Sequence, residues 1–380
     1  MHLLAGAEAP RAERGCGKTK EAAWVALRFA YIGCGFMGQK VHIPNFRAIP
    51  DVDFVALAEV RPQLGARVAT RMGIPKVYAS HLEVAADPTI QAVGVSAAFT
   101  QQAEIASDLL AAGKHVFMEK PMAVSVEQAE RLLESSRRGG GRLMVAYMKR
   151  HDDGNRLGRA TVAAWRESGE MGRITYARGH GFCGDWTNNL ETSMDKTDEP
   201  YPPAPRVKPS WMPDEYVDRY LGYLQQYTHN LNLLRWFLGP TTDPGVPVGV
   251  RAVDFDDNGM TGVVVLNIGG VRAVLESGGV QHHRWDEHTQ IFFERGWVQV
   301  FSPPLMARNV PATVQIYDGR RRETRETAGP WTWAFRREAE EFVKRVQSGE
   351  PFESSGEDTL HDVAAFEAIY RSWLHAKGAV

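Results

Sequence analysis

Three glycines at the spacing G-x-G-x-x-G, Gly33, Gly35 and Gly38, lie in the stretch FAYIGCGFMGQKVHIPNF. Between a strand and a helix, such a turn lets the main chain approach a pyrophosphate while the helix N-terminus faces its charge. The spacing alone arises easily by chance, so its neighbours must decide. The run LRFAYIG before the turn is a buried-strand pattern, and QKVHIPNFRAI after it can be helical if Pro44 sits early or at a kink. VDFVALAEV then reads as a second apolar strand ending at Glu59, 21 positions beyond Gly38, where a carboxylate accepts hydrogen bonds from an adenosine ribose. Phe36 and Met37 complete the turn and count with it as cofactor-lining residues. A carboxylate at position 59 repels a 2′-phosphate and favours NAD over NADP. Arg61 weakens that preference, because a guanidinium can neutralise such a phosphate. Two further residues carry chemistry. Lys120 follows the strand HVFME, at the sheet edge where ligands lodge, and His229 lies in GYLQQYTHNLNLLRWFLG. Its imidazole can exchange a proton near neutral pH.

These groups need a frame, and the rest of the chain supplies one. Strand and helix patterns alternate through PKVYASHLEVAAD, IQAVGVSAAF and QQAEIASDLLAAGKHVFMEKP. Ile105, Leu109 and Leu110 share a helix face that Gly113 is placed to end. Ser125 and Gln128 form a capping box for VEQAERLLESSRR, and Gly139–Gly141 break that helix before RLMVAYM. The expected result is an α/β Rossmann domain over 27–150, a parallel sheet wound on both faces. The next part, 151–330, reads as an α+β domain. A helix, NRLGRATVAAWRESGEMG, leads to the strand RITYARGHGF; later VRAVDF, TGVVVLNI, VRAVLES, HTQIFFER and WVQVF follow through short turns, which predicts antiparallel pairing of consecutive strands. Leu224, Leu231, Leu234 and Leu238 stripe the helix that bears His229. Residues 331–380 read as closing helices, and 1–26 as a disordered or mis-assigned leader.

With 380 residues, 43% of them hydrophobic and 24% charged, the chain has room for two ordinary globular cores. A net charge of -2 without a basic run argues against nucleic acid. No apolar stretch approaches the roughly 20 residues a membrane helix needs, and the leader lacks a secretion signal. Cys16, Cys34 and Cys183 are odd in number and scattered, which fits a reducing cytoplasm rather than a disulfide framework or zinc site. His282, His283 and His288 have no companion metal spacing, so no metal is expected.

The sequence resembles the Gfo/Idh/MocA oxidoreductases. The motifs that carry the likeness are GCGFMG, the run AAGKHVFM leading into Glu119-Lys120-Pro121, and the C-terminal FRREAEEFVKRVQSGEPFESSGEDTLHDVAAFEAIYRSW. The resemblance implies a Rossmann domain followed by an open, mostly antiparallel sheet domain used in homodimer or homotetramer contacts. It implies that Lys120 binds substrate and acts in catalysis, with Glu119 and Pro121 shaping the cofactor side. The family places D-x-x-x-H in the second domain's helix; here the positions read Gln225 and His229, so His229 takes the proton and Gln225 contacts substrate. Where the family has T-P-x-x-x-H, this chain has Ala97, Ala98 and Gln102 as cofactor-lining residues. The proline-rich loop 183–216 offers Asp185, Trp186, Asn188 and Trp211 to a polyol, and Arg178 and His180 share one strand face beside it. The implied activity is NAD-dependent oxidation of a secondary hydroxyl on a sugar, cyclitol or sugar-bearing natural product, aminoglycoside-type sugars included. The alternatives are a glycoside hydrolase that oxidises transiently with retained NAD, and a non-catalytic sugar or nucleotide sensor.

Overall fold

The computed structural model describes residues 26–184, 194–239, 245–279 and 285–380. Asp185, Trp186, Asn188, Cys16, His282, His283 and nearly all of the expected leader lie outside them.

The first sheet is built from β1 (Leu27–Ile32), β2 (Val52–Ala58), β3 (Lys76–Tyr78), β4 (Ala92–Val95), β5 (His115–Glu119) and β6 (Leu143–Ala146). All pairings are parallel, in the order β3-β2-β1-β4-β5-β6. Burial on both faces explains why these strands are continuous apolar runs. On β1, Phe29 and Tyr31 enter one core while Ala30 and Ile32 enter the other. The strand order reverses between β2 and β4 around β1, and the crevice there is where the glycine turn emerges.

Five helices cross between these strands: α1 (Ile43–Arg47), α2 (Pro62–Met72), α3 (His81–Ala86), α4 (Gln102–Ala111) and α5 (Val126–Gly139). One wide turn, Gly38–His42, runs directly into α1, so Pro44 lies inside a continuous helical stretch just past the wide turn, and the Lys40 carbonyl four residues before it accepts instead from Arg308 at 3.5 Å. At the start of α5 the Ser125 hydroxyl accepts from Gln128 N at 3.1 Å. The Gln128 side chain reaches back to Val124 N at 3.0 Å, one residue before the expected cap.

Helix α6 (Asp153–Ser168) leads into the second sheet: β7 (Ile174–Cys183), then α7 (Val217–Leu238), β8 (Val248–Phe255), β9 (Gly262–Ile268), β10 (Val271–Gly279), β11 (Trp285–Phe293), β12 (Gly296–Phe301), β13 (Thr313–Asp318) and β14 (Glu323–Ala328). Its order is β14-β13-β12-β11-β7-β10-β9-β8. The expected antiparallel pairing of consecutive strands holds for β8–β9, β9–β10 and β11–β12 and fails only between β10 and β11. β7 inserts between β10 and β11, antiparallel to β11 but parallel to β10. Helix α7 lies close on β7 because a Cβ at Gly179 would come within 2.9 Å of Leu234 Cδ1, and one at Gly181 within 3.0 Å of Asn230 Nδ2. That approach fixes the height of His229 above the sheet.

Helices α8 (Ala334–Ser348) and α9 (Gly356–Ala376) close the chain. Phe342 of α8 enters the aromatic cluster of Phe29, Phe46 and Phe117 beneath the first sheet. Ser354 donates to Val145 O at 2.7 Å at the head of α9.

Candidate active site

The glycine turn opens on a cavity of about 690 Å³. Gly33 has φ +87°, and a Cβ there would lie 2.5 Å from Ser96 O. Gly38 is close to the same turn, its missing Cβ 2.5 Å from Gly33 O. Gly35 differs: it lines the cavity, and nothing lies within 4 Å of where its side chain would begin. The first and third glycines therefore let the chain fold on itself, and the middle one leaves space for a ligand. That division of labour fits a dinucleotide. Phe36, Met37, Ala97 and Ala98 line the cavity beside them.

Glu59 lies on the wall and is 4% exposed. One carboxylate oxygen accepts from Cys34 N at 2.9 Å and from the Cys34 thiol at 3.1 Å. Arg61 forks onto the same group, Nε to Oε1 at 2.7 Å and Nη2 to Oε2 at 3.1 Å. Burial opposes the charged carboxylate, yet the hydrogen bonds from Arg61 and Cys34 outweigh it and hold its pKa below the ordinary value. Burial and the Glu59 charge push the Cys34 thiol far up, so Cys34 is an unreactive filler of the turn. The Arg61 guanidinium stands 5.0 Å over the Tyr201 ring.

Tyr201 belongs to the segment after β7, which crosses back onto the first domain. Glu199 accepts from the first-turn amides of α2, Gln63 N and Leu64 N, both at 2.9 Å. Asp195 pairs with Arg71, and its own N–H donates to Gln39 Oε1 at 2.9 Å. Tyr201 and Pro202 reach the cavity wall.

Lys120 follows β5 at a cis Lys120–Pro121 peptide. Its Nζ donates to Gln225 O at 3.0 Å, and both residues line the cavity. Burial lowers the ammonium pKa, partly offset by Glu119 and reinforced by Lys149. Gln102 holds this turn from behind, donating to Glu119 O at 2.8 Å and Pro121 O at 2.6 Å. Glu119 faces His42 at 2.7 Å. Gln102 and Glu119 therefore touch the cavity while their polar atoms position Lys120.

His229 is 5% exposed and lines the same cavity, and its Nδ1 has no hydrogen-bond partner among the described residues. Tyr147 meets the ring edge-on at 5.8 Å and 88°, itself held by Thr228 at 2.7 Å. Burial, then the charges of Lys120 and Lys149, drive the imidazole pKa well below 6.5. Burial and these two cations thus favour the unprotonated ring.

Several expected residues stand elsewhere. Arg178 and His180 are not on the cavity wall: strand alternation turns Ala177, Gly179 and Gly181 towards α7 and sends these two to the outer sheet face, where both pair with Glu276. Trp211 donates to Glu367 at 2.7 Å and packs under Arg371, away from the cavity. Gly38 and Pro121 support the turns without reaching the wall. Conversely, the cavity contains Lys149, Glu287, Trp285 and Gln226, which the sequence reading did not single out, and Cys183, which it read only as a scattered thiol. Lys149 and Glu287 form a buried ion pair, and Glu287 also accepts from Asn230 at 2.9 Å and Trp285 at 3.1 Å. The ion pair's sequence separation of 138 left no spacing to read.

Residues 27–147 match the family model for the GFO_IDH_MocA oxidoreductase family, NAD-binding Rossmann fold. The chain is 25% identical to the myo-inositol 2-dehydrogenase of Thermotoga maritima over 339 residues, which is 87% of this chain and 92% of that protein. It is 24% identical to an inositol 2-dehydrogenase of Rhizobium meliloti, covering 92% and 97% of the two chains. In fold it is similar to KijD10, a 3-ketoreductase from Actinomadura kijaniata solved with NADP and TDP-benzene, at 20% identity, TM-score 0.69 and coverage of 91% and 98%. Among the described residues no helix is long and apolar enough to cross a membrane.

Proposed function

We propose, from the premise that this chain belongs to the Gfo/Idh/MocA oxidoreductases, that it oxidises a secondary hydroxyl of a cyclitol or sugar to a ketone with NAD. One observation carries the reading: an ammonium and an imidazole, whose Nδ1 has no partner among the described residues, line the same cavity as a glycine turn with room at Gly35. When bound, the dinucleotide accepts the hydride. The residues of the chain do the remainder. His229 takes the hydroxyl proton. Lys120, steadied by the Gln225 carbonyl, stabilises the negative charge that develops on the oxygen. The Gln225 side chain, exposed into the cavity, can hydrogen-bond a neighbouring hydroxyl but exchanges no proton. The inositol 2-dehydrogenase relatives make cyclitols the first substrates to try. The half-buried aromatic residues Tyr176, Trp297 and Tyr317 on the open sheet face suit a homo-oligomer contact.

Purified protein incubated with NAD and a panel of inositols and sugars is expected to accumulate reduced coenzyme. Glycoside cleavage without net reduction would replace this reading with the transient-oxidation hydrolase.

The preference for NAD rests on two carboxylates at the ribose end. Glu59 is held ionised on the wall, and Glu199 occupies the N-terminus of α2, where a phosphate would otherwise be welcome. Arg61 is committed to Glu59. Glu59→Ala should raise the KM for NAD about 10-fold or more, the scale of one lost charged hydrogen bond, and leave NADP unchanged or improved by the freed guanidinium. Equal losses with both coenzymes would undo the assignment.

A further inference from the structure

The outer face of the second sheet carries a row of residues made by register alone. His180 on β7 is the direct antiparallel partner of His288 on β11 and the parallel partner of Glu276 on β10. Asp286 precedes His288 by two and so shares its face. Donor atoms of His180, Asp286 and His288 all lie within 4.8 Å of one another. His180 Nε2 is 3.6 Å from Asp286 Oδ2, and His288 Nδ1 is 3.4 Å from Asp286 Oδ1. The other nitrogen of His180, Nδ1, is 2.5 Å from Glu276. His288 is 8% exposed, yet neither of its ring nitrogens has a hydrogen-bond partner among the described residues.

We propose that His180, Asp286 and His288 bind a divalent transition-metal ion of the zinc class, at a site separate from the cavity. A ligating histidine commonly donates its second ring N–H to a carboxylate, which fixes the tautomer and raises the basicity of the ligand nitrogen. Glu276 does this for His180, leaving Nε2 as the ligand. Two imidazoles and one carboxylate suit zinc, nickel or copper better than calcium or magnesium, which prefer all-oxygen sets. The local charge is favourable too. Arg178, the neighbouring cation, is matched by Glu276 at 2.8 Å, so the Asp286 carboxylate is left to face the ion. The imidazoles stack at 4.6 Å and 21°. Zinc–nitrogen bonds of about 2.0–2.1 Å bring ligand atoms closer than that stack does, so binding requires the rings to turn inward slightly about their side-chain bonds. A fourth position falls to water on the open side, where the Asp286 side chain is 54% exposed. The ion would tie β7 to β11 on the sheet face opposite the one from which Glu287 lines the cavity.

The full-length protein, stripped with chelator and dialysed, is titrated with Co²⁺ and read by its visible ligand-field bands, then challenged with Zn²⁺. One equivalent of Co²⁺ per chain, displaced by Zn²⁺, is expected. Asp286→Asn and His288→Ala should each weaken Co²⁺ binding at least about 10-fold, and Glu276→Gln by about 10–100-fold, as for other carboxylates behind a ligating histidine. Reduction of NAD by the same samples should be unaffected. Asp286→Asn changes an exposed side chain, so its result stands even if His288→Ala fails to fold. No stoichiometric binding by the wild type, or full-affinity binding by Asp286→Asn, overturns the site.

Discussion

Replacing His229 by alanine is expected to lower the rate of hydroxyl oxidation at least about 100-fold, the ordinary scale for losing a positioned acid–base group. The loss should appear in kcat with coenzyme binding little changed, because the glycine turn and Glu59, not His229, are the groups proposed to hold the dinucleotide. The pH dependence gives a second reading. Burial and the cations of Lys120 and Lys149 push the imidazole pKa below 6.5, so the neutral, proton-accepting form persists as pH falls through that value. The acid limb of kcat/KM should therefore lie below pH 6.5, and Lys149→Met, which removes one cation, should move it upward. The same sign governs stability. An imidazole that resists protonation when folded but accepts it when unfolded weakens the fold as pH drops below 6.5. A variant that keeps more than a tenth of wild-type turnover would remove His229 from the chemistry.

The second large effect concerns the underpinning of the same helix. Arg235 of α7 is 2% exposed and binds two carboxylates of α9, Asp362 at 2.7 Å and Asp358 at 2.8 Å, together with the Val246 carbonyl at 3.0 Å. Arg150 meets Asp358 from the other side at 2.6 Å and Asn232 at 2.6 Å. Two cations and two anions thus balance in the interior. Arg235→Met leaves Asp362, 1% exposed, with Asn232 as its remaining partner. Breaking a buried pair from one side costs about 3–5 kcal/mol, to be measured as the shift of the urea transition followed by tryptophan fluorescence. The deficit has a sign in pH. A buried carboxylate stripped of its cation has a raised pKa, so the variant should lose less stability at low pH, where Asp362 is protonated, than at neutral pH. Adding Asp362→Asn should restore part of the loss. A deficit below about 1 kcal/mol would show that the network contributes little.

Local signals in the sequence were read well because their physics is local. The strand, glycine turn, helix, strand and terminal acid around Gly33 and Glu59 lie within one stretch, and so does the Ser125 cap. The resemblance motif at Glu119-Lys120-Pro121 pointed to a residue that does line the cavity. Strand parity rightly put Arg178 and His180 on one face, though not on the cavity side. A spacing of two shows that they share a face but not which face, and the glycines that let α7 approach decide it. Helix α7 hid its depth for a related reason: every residue from Tyr227 to Leu238 is buried, so the leucine stripe marks no single core-facing side. β14 was invisible because all six of its residues are exposed and polar or small, a protected sheet edge without hydrophobic alternation. The Lys149–Glu287 pair and the row from Glu276 to His288 depend on register across distant strands, which no spacing rule reports.

The segment carrying Asp195, Glu199 and Tyr201 acts as a latch between the two sheets. To swing apart, the halves must first strip the α2 amides of Glu199 and part Asp195 from Arg71, exposing bare donors at a helix start. Weakening this cluster, as by Glu199→Gln, should therefore quicken exchange of a bound nucleotide without altering the proton-transfer groups, to be checked by the rate of coenzyme release.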